Sequence, residues 1–373
     1  MKVALDVSAV PERVAGAGRY IVEIARRLPG IGIDTTLVAR RGDASRWRQW
    51  SPNAAVTPVV PSMRAARLLY EGWTLGASAP ARGADVWHGP HYTMPRRGST
   101  PTVVTIHDLT YFTHPEWHER VKAVFFRRAI VYAAEHAKVL LSVSDTTTRL
   151  LDQYVPDHSP VVVAPHGVDL VAFTPEGADD EGIWEGSGMP SGVPYILFVG
   201  TVEPRKGLDV LLDAFADVAS EDAHVELWLA GQSGWGLPDF AARLASHPWA
   251  ARIHRLGYVD ESLLPVLMRH AAVVVYPSRD EGFGLPVLEA LACGAMVVTS
   301  ADTVMAEVAG DAASLVAVGD VPALGMALSA ALRLDGPTRA QRSQRSRARA
   351  ELFTWDASLA QHRIAYERAV GAA

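Results

Sequence analysis

The sequence is poor in cysteine, in long apolar runs and in excess positive charge. One cysteine, Cys293, excludes a disulfide within the chain and a zinc site built from cysteines, and fits a reducing cytoplasm. Apolar runs such as residues 271–276 fall far short of the ~20 residues that span a bilayer. With 35 basic and 41 acidic residues the formal charge is −6, which excludes a whole-molecule basic field for nucleic acid.

The N-terminal residues do not predict a secretory signal, because Asp6 follows only three apolar residues and no small-residue cleavage pattern is present. We therefore expect a cytoplasmic protein. Contact with the inner face of the cell membrane is left open, and so is the oligomeric state.

The 373 residues, 49% of them apolar, are enough for two domains with sizeable cores. Short β-branched runs alternate with helical patterns, which predicts an α/β protein with parallel sheets covered by helices. The predicted strands are residues 3–7, 35–39, 86–87, 102–106, 139–143 and 161–164, then 195–199, 224–229, 252–256, 273–276, 296–299 and 314–316. We expect one lobe over residues 1–170, a turn-rich linker over 171–194 and a second lobe over 195–351.

The segment from residue 278 to residue 294 carries the strongest chemical signal. Glu281 and Glu289 flank Gly282 and Gly284, and Pro286 suits the start of a helix. Glycine backbone and a helix N-terminus can turn N–H groups toward a phosphate, while the two carboxylates can accept hydrogen bonds from sugar hydroxyls. Each carboxylate alone has a plain alternative: Glu289 could complement the helix dipole, and Glu281 could be a solvated loop residue.

Two cations, Arg205 and Lys206, lie between a predicted strand and the next helix, with Gly200 and Gly207 on either side. Arginine can bind two phosphate oxygens at once and lysine adds a compact charge, so the pair fits the diphosphate of a nucleotide sugar. A pair of surface cations in a turn is the alternative. Gly16 and Gly18 form a Gly-x-Gly pattern without the rest of a dinucleotide-binding motif, which disfavours an NAD-dependent dehydrogenase.

Together these motifs resemble the retaining glycosyltransferase family 4. The resemblance spans essentially the whole chain and includes Glu281-x7-Glu289, the Gly-Phe-Gly-Leu-Pro core at 282–286, the 200–207 and 16–20 segments, Thr-Ile-His-Asp at 105–108 and Pro-His-Gly-Val-Asp at 165–169. It implies the GT-B fold, two Rossmann-like lobes with parallel sheets facing a central interdomain cleft. It also implies that the C-terminal helix, residues 352–373, packs back on the first lobe.

The resemblance implies a set of site residues. It implies catalytic roles for His107, Glu281, Arg205 and Lys206, with the role of His107 open. The implied donor-binding residues are Gly16, Gly18, Gly200, Arg205, Lys206, Tyr258, Val259, Glu281, Gly282, Phe283, Gly284, Leu285 and Glu289. His88, His91 and Tyr92 are expected on the acceptor side, with loops 63–73 and 92–99. No metal site and no cofactor are expected, because the two cations replace a metal at the diphosphate.

The resulting hypothesis is transfer of a hexose, mannose from GDP-mannose, with retention of configuration, to a hydroxyl of a glycan or lipid-linked saccharide. Another donor such as a UDP- or ADP-hexose, a nucleotide-sugar epimerase and a non-catalytic nucleotide-sugar-binding protein remain as alternatives. No nucleic-acid partner is expected. The five arginines between residues 337 and 350 predict a solvated helix face, with contact to anionic lipid or an acidic acceptor as the alternative.

Overall fold

The structure, a computed structural model, describes residues 1–371 apart from residues 13, 15, 64, 65, 68, 69, 71–74, 76, 77, 191, 233, 235 and 236. The chain divides into two compact units. The first comprises Met1–Gly167 and the C-terminal segment from Trp355 onward, and the second comprises Val168–Thr354.

Each unit alternates strands with helices. The strands of the first unit are β1 (Lys2–Asp6), β2 (Asp34–Arg40), β3 (Ala55–Val60), β4 (Val86–Gly89), β5 (Thr102–Ile106), β6 (Val139–Ser142) and β7 (Val161–Val163). Its helices are α1 (Ala17–Arg27), α2 (Ala44–Trp50), α3 (Ala79–Arg82), α4 (Thr110–Thr113), α5 (Arg120–His136), α6 (Asp145–Tyr154) and, from the C-terminus, α15 (Trp355–Gly371).

The second unit repeats this alternation. Its strands are β8 (Tyr195–Val199), β9 (Glu226–Ala230), β10 (Ile253–Gly257), β11 (Val273–Tyr276), β12 (Val297–Ser300) and β13 (Ser314–Val316). Its helices are α7 (Asp180–Ser187), α8 (Leu208–Glu221), α9 (Leu237–Ala245), α10 (Leu263–His270), α11 (Leu285–Ala292), α12 (Val304–Ala309), α13 (Val321–Leu332) and α14 (Gly336–Ala350).

Both sheets have the same kind of strand order. The first runs β3-β2-β1-β4-β5-β6-β7 and the second β10-β9-β8-β11-β12-β13, and the paired strands are parallel. The order reverses between β1 and β4 and between β8 and β11. In open parallel sheets, ligands bind beyond the carboxyl ends of the strands at such a reversal. The predicted α/β class with two parallel sheets is confirmed.

Strand β3 is absent from the sequence prediction. It contains Pro58, which lacks an N–H and argues against a strand when the sequence is read alone. Among the described residues the strand pairs with β2 alone, at the edge of the sheet, and its register with β2 shifts between Ala39 and Arg40. An edge position needs hydrogen bonds on one side only, so the proline is tolerated.

The segment expected to be a linker, residues 171–194, contains helix α7 and belongs to the second unit. Asp180, in the first turn of α7, accepts a hydrogen bond from Arg269 Nε at 2.6 Å. Trp184 lies against Trp228, with ring centres 5.9 Å apart. The prediction of an aperiodic linker is therefore wrong for this part, because two tertiary contacts stabilise a helix that its glycine-rich sequence does not predict.

The arginines of α14 correct a second expectation. Arg339 donates to Ala331 O at 3.0 Å, Arg347 to Ala292 O at 3.1 Å, and Arg349 to Val308 O at 2.8 Å. These carbonyls lie in the last turns of α13, α11 and α12, where intrahelical partners are lacking and the dipole favours a cation. Three of the five arginines thus cap helix ends, while Arg342 and Arg345 are exposed.

Helix α15 packs into the core of the first unit. Trp355, Leu359 and Tyr366 are buried in one cluster with Leu5 and Tyr20. The helix therefore completes a core whose other members come from the opposite end of the chain. None of the helices in the described part of the chain is long and apolar enough to cross a membrane.

Candidate active site

Two loops meet at the strand-order reversal of the second sheet. A 3-10 turn, Pro204–Lys206, follows β8, and the loop that contains Glu281 follows β11. Gly207 has φ 67°, and a Cβ there would lie 2.1 Å from Pro277 O, so the loops approach as closely as only glycine permits. Arg279 N donates to Arg205 O at 2.8 Å, which joins the two backbones.

Glu281 is held by both predicted cations. Arg205 Nη1 lies 2.7 Å from Glu281 Oε2, and Lys206 Nζ contacts Glu281 Oε1. Lys206 Nζ also donates to the hydroxyl of Tyr276, the last residue of β11. Arg205 Nε donates to Glu203 Oε2 at 2.8 Å. The structure thus brings three predicted residues together and adds Tyr276 and Glu203, which the sequence analysis did not identify.

The charges of this cluster are strongly coupled. Burial by itself raises the pKa of Glu281, but Arg205 and Lys206 outweigh it and lower the pKa to about 2. Burial lowers the pKa of Lys206, although Glu281 partly offsets it. Glu281 is therefore a carboxylate that accepts hydrogen bonds, and it cannot serve as a proton donor near neutral pH.

Helix α11 begins directly after the loop. Gly284 has φ 94° and precedes the first helical residue, Leu285, while Pro286 occupies the second position, one later than expected. Phe283 is buried, and Gly282 lies between it and Glu281. Glu289 is the fifth residue of the helix and is 4% exposed. The start of α11 therefore follows the Glu281 loop directly, and the N-terminus of a helix is a favourable place for an anion.

The remaining donor-side residues lie at the ends of neighbouring strands. Gly200 follows β8, and Gly231 packs so close that a Cβ on it would lie 1.9 Å from Gly200 O. Tyr258 follows the edge strand β10 and is 55% exposed, with Val259 half-buried next to it. All lie beyond the carboxyl ends of strands of the second sheet.

In the first unit, His107 follows β5 and is buried. Its Nε2 lies 2.7 Å from Pro90 O, and a carbonyl can only accept, so Nε2 carries the proton. Burial lowers the pKa of His107, which favours the neutral ring. The Nδ1 atom of a neutral ring in this tautomer is a hydrogen-bond acceptor.

The loop after β4 carries His91 and Tyr92. Tyr92 is buried and has φ 61°, a conformation that an aromatic residue rarely adopts. Its hydroxyl donates to Asp108 Oδ2 at 2.8 Å, and Thr110 N donates to Asp108 Oδ1 at 2.9 Å. The rings of His91 and His107 are 5.7 Å apart. The structure thus groups His91, Tyr92 and His107 at one place.

His88, the third residue expected on the acceptor side, is not accessible. It is fully buried, its Nδ1 lies 2.9 Å from the hydroxyl of Tyr366, and its Nε2 lies 2.8 Å from Thr105 Oγ1. Both ring nitrogens of His88 form hydrogen bonds within the protein. Neither nitrogen is therefore available to contact an acceptor substrate in this structure. The expectation of an acceptor-side role for His88 is replaced by a structural role.

His88 belongs to a buried chain of hydrogen bonds that the sequence analysis missed. Tyr20 OH lies 2.9 Å from Thr105 Oγ1 and 2.7 Å from His362 Nε2, and His362 Nδ1 lies 2.7 Å from Ser358 O. Because that carbonyl only accepts, one order satisfies all groups: the donors run from Tyr366 through His88, Thr105 and Tyr20 to His362. No sequence signal links residues so far apart, because only the folded chain brings them together.

Two expected regions are described only in part. Gly16 has φ 50° and is exposed, and Gly18, the second residue of α1, is buried. Residues 13 and 15, between β1 and α1, lie outside the described residues. Most of residues 63–73, expected on the acceptor side, also lie outside them.

Within the described residues, no group of three or more His, Cys, Asp or Glu side chains is placed to hold a metal ion.

Comparison with known proteins identifies the family. The family described as Glycosyltransferase Family 4 matches residues 14–171, and Glycosyl transferases group 1 matches residues 193–333. The chain is 32% identical to O-antigen chain mannosyltransferase B of Escherichia coli, over 76% of this chain and 74% of that protein. It is 30% identical to D-inositol 3-phosphate glycosyltransferase of Geodermatophilus obscurus, over 94% and 88%.

Solved structures show the same fold. Sucrose-phosphate synthase of Thermosynechococcus elongatus matches with a TM-score of 0.79 at 21% identity over the full length of both chains. A glycosyltransferase involved in lipopolysaccharide biosynthesis matches with a TM-score of 0.70 at 18% identity over 94% of this chain and 95% of that chain. The chain belongs to glycosyltransferase family 4 and is a glycosyltransferase with the GT-B fold.

Proposed function

We propose that the protein transfers mannose from GDP-mannose, with retention of the anomeric configuration, to a hydroxyl of a glycan or lipid-linked saccharide. The observation that carries this proposal is the ion cluster of Arg205, Lys206 and Glu281 beside the start of α11. Cations for a diphosphate and a carboxylate for sugar hydroxyls stand together there, at the strand-order reversal. The similarity to a mannosyltransferase supports the choice of sugar.

Donor binding would use groups that the cluster leaves available. A guanidinium has five N–H donors and an ammonium has three, so Arg205 and Lys206 can each bond Glu281 and still donate to a phosphate oxygen. The backbone N–H groups of residues 282–285 would add to this through the helix start. Glu281, kept ionised by its two partners, would accept from hydroxyls of the hexose, and Glu289 would accept from the ribose.

The transfer step needs no protein nucleophile in this proposal. The bond from the anomeric carbon to the phosphate oxygen breaks, and the acceptor oxygen bonds the same face of the resulting oxocarbenium-like ion. The acceptor hydroxyl proton passes to the departing phosphate, which leaves as GDP. Arg205, Lys206 and the helix start would stabilise the charge that develops on that phosphate. In the first unit, the Nδ1 atom of neutral His107 would accept a hydrogen bond from a sugar hydroxyl.

A donor comparison tests the sugar and the base. Purified enzyme would be incubated with GDP-mannose, UDP-glucose or ADP-glucose and a panel of glycan acceptors, and the products analysed by mass spectrometry. We expect transfer from GDP-mannose, unchanged by EDTA, and NMR of the product should show the anomeric configuration of the donor. Faster transfer from a UDP- or ADP-hexose would replace the donor assignment, and an inverted product would refute retention.

Site variants test the residues. Lys206→Ala removes a cation from the diphosphate, and we expect kcat to fall by about 10²–10³. Arg342→Ala, an exposed arginine on α14, serves as a matched loss of one positive charge and should leave kcat unchanged. Equal activity of the two variants would show that Lys206 does not stabilise the leaving group. An altered sugar released without any acceptor would indicate the epimerase alternative.

A further inference from the structure

The hydroxyl of Tyr276 contacts two charged groups of the ion cluster. Lys206 Nζ donates a hydrogen bond to this hydroxyl, which in turn donates to Glu281 Oε1 at 3.4 Å. Lys206 Nζ also contacts Glu281 Oε1 directly. The three side chains thus form a closed set of hydrogen bonds, which we call the Tyr276 triangle. The reaction proposed above uses the lysine and the glutamate of this triangle but not the tyrosine.

The sheet fixes the ring of Tyr276. Tyr276 is the last residue of β11 and is 2% exposed. Its ring stacks on that of Phe198, with the ring centres 5.9 Å apart and the planes inclined by 11°. Its carbonyl accepts a hydrogen bond from Thr299 Oγ1 at 2.8 Å. Since β11 is paired with β8 on one side and β12 on the other, the hydroxyl is attached to an interior strand of the sheet.

The ammonium of Lys206 depends on its partners for its direction. Lys206 ends the 3-10 turn Pro204–Lys206, and its aliphatic chain has many rotamers in the absence of contacts. Glu281 alone would hold the ammonium by one of its three N–H groups. Tyr276 holds a second N–H group from another direction. With two N–H groups held, the direction of the third is defined.

The second acceptor of the ammonium is neutral. Another carboxylate at this place would cancel the positive charge that a diphosphate needs, whereas a hydroxyl holds the ammonium and leaves its charge intact. Burial, together with the charge of Glu281, raises the pKa of Tyr276 well above its usual value of 10. The hydroxyl therefore keeps its proton, and that proton is directed at Glu281.

We propose that Tyr276 is a positioning residue of the transfer reaction: its hydroxyl directs the ammonium of Lys206 at the phosphate oxygen that departs from the sugar. The inference rests on the role of Lys206 in the proposed function, and it does not depend on which sugar or acceptor the enzyme uses. Because the full charge on that oxygen develops only as the bond breaks, such a residue stabilises the transition state more than the bound donor.

Steady-state kinetics of Tyr276→Phe tests the inference, with GDP-mannose or with the donor that the comparison above selects in its place. The variant keeps the ring, whose centre lies 4.9 Å from Lys206 Nζ, and removes only the hydroxyl. We expect kcat to fall about 10-fold, as for the loss of one hydrogen bond to a charged group, while KM for the donor changes by less than about 2-fold. Tyr195→Phe removes another buried hydroxyl of the second unit, which donates to Leu267 O at 2.7 Å, and should leave both constants unchanged.

A double-mutant cycle tests whether the hydroxyl acts through the lysine. Lys206→Ala removes the ammonium that Tyr276 directs, so adding Tyr276→Phe to that variant should change kcat by less than about 2-fold. If the two losses in kcat multiply instead, the hydroxyl acts independently of Lys206, and the inference is wrong.

The pH dependence of kcat is a readout that a purely structural role would not change. Burial lowers the pKa of Lys206; Glu281, facing it from the loop after β11, raises it, and on its own turn Arg205 lowers it and Glu203 raises it. Without the hydroxyl of Tyr276 the ammonium loses an acceptor that favours its charged form, so the pKa of Lys206 falls further. Activity that needs the ammonium is lost as pH rises through this pKa. The alkaline decline of kcat should therefore begin at lower pH in Tyr276→Phe than in the wild type.

The outcomes separate this inference from the proposed function. If Lys206→Ala leaves kcat unchanged, the lysine does not stabilise the leaving group, and its proposed role and the inference are both refuted. If Lys206→Ala lowers kcat while Tyr276→Phe equals the wild type, the inference alone is refuted. A loss of activity in Tyr276→Phe that appears in KM, with an alkaline decline at the same pH as in the wild type, would show that the tyrosine supports only the fold.

Discussion

The hydroxyl of Tyr20 lies in the middle of the buried hydrogen-bond chain, and removing it tests how much that chain stabilises the first unit. Tyr20→Phe keeps the ring and its packing, so no cavity is created. It deletes two bonds, and leaves the Thr105 hydroxyl without an acceptor and His362 Nε2 without a donor, both of them buried. A buried polar group left unsatisfied costs about 1–3 kcal/mol. With two such groups, the free energy of unfolding should fall by about 3 kcal/mol.

Hydrogen exchange of α15 reports this loss, because α15 carries His362 and belongs to the core of the first unit. A change of about 3 kcal/mol accelerates exchange through unfolding about 100-fold. Tyr366→Phe deletes one bond, to His88, at the end of the series of hydrogen bonds, and should lower the free energy of unfolding by about half as much. Tyr195→Phe, which removes a buried donor to Leu267 O in the second unit, should leave α15 unchanged. If α15 exchanges in Tyr20→Phe as it does in the wild type, or if Tyr366→Phe costs more stability than Tyr20→Phe, the buried hydrogen bonds do not stabilise α15 as argued.

Three further predictions concern other buried groups. Burial lowers the pKa of His362 to about 4 from 6.5, so the unfolded chain takes up this proton first as pH falls, and the stabilisation from His362 is complete above pH 6.5 and declines by about 3 kcal/mol toward pH 4. Urea unfolding of His362→Gln across that range should show a slope reduced by this amount, while the other buried histidines, whose pKa values are also lowered, keep their part. Glu281→Gln leaves Lys206 buried without its carboxylate and should lower the free energy of unfolding in urea by about 3–5 kcal/mol. Glu203→Gln, which breaks a more exposed ion pair, should lower it by about 1 kcal/mol, and equal losses would show that burial does not set the cost. Burial raises the pKa of Cys293 to about 12, so a thiol reagent should modify it only after denaturation, and rapid labelling of the native protein would show an open site.

Much of the fold could be predicted because buried parallel strands are apolar along their whole length. The predicted run at 273–276 coincides with β11 (Val273–Tyr276), and the run at 102–106 coincides with β5. Strand β3 could not be predicted, since the tolerance for Pro58 depends on an edge position that only the assembled sheet defines. The same holds for α7, whose stability rests on Arg269 from another helix.

The site was predictable as a set of residues and not as a set of contacts. The glycines and cations around Glu281 mark the loops, yet the direct pairing of Glu281 with Arg205 and Lys206 requires the close approach at Gly207. His88 shows the opposite error: it was expected on the acceptor side, while β4 carries it into the interior. Burial on a particular strand depends on the whole sheet, and periodicity over four residues cannot determine it.

The placement of α15 has a consequence for biosynthesis. The first unit combines Met1–Gly167 with the segment from Trp355 onward, and the second unit lies between these two segments in the sequence. After Gly167 emerges from the ribosome, the whole of Val168–Thr354 must follow, about 10–40 s at ~5–20 residues per second. During that time Tyr20 and His88 lack their partners on α15, and the N-terminal core lacks Trp355. The segment Met1–Gly167 is therefore made before the second unit but completes its core only after α15 has followed, and the second unit can complete its core before it.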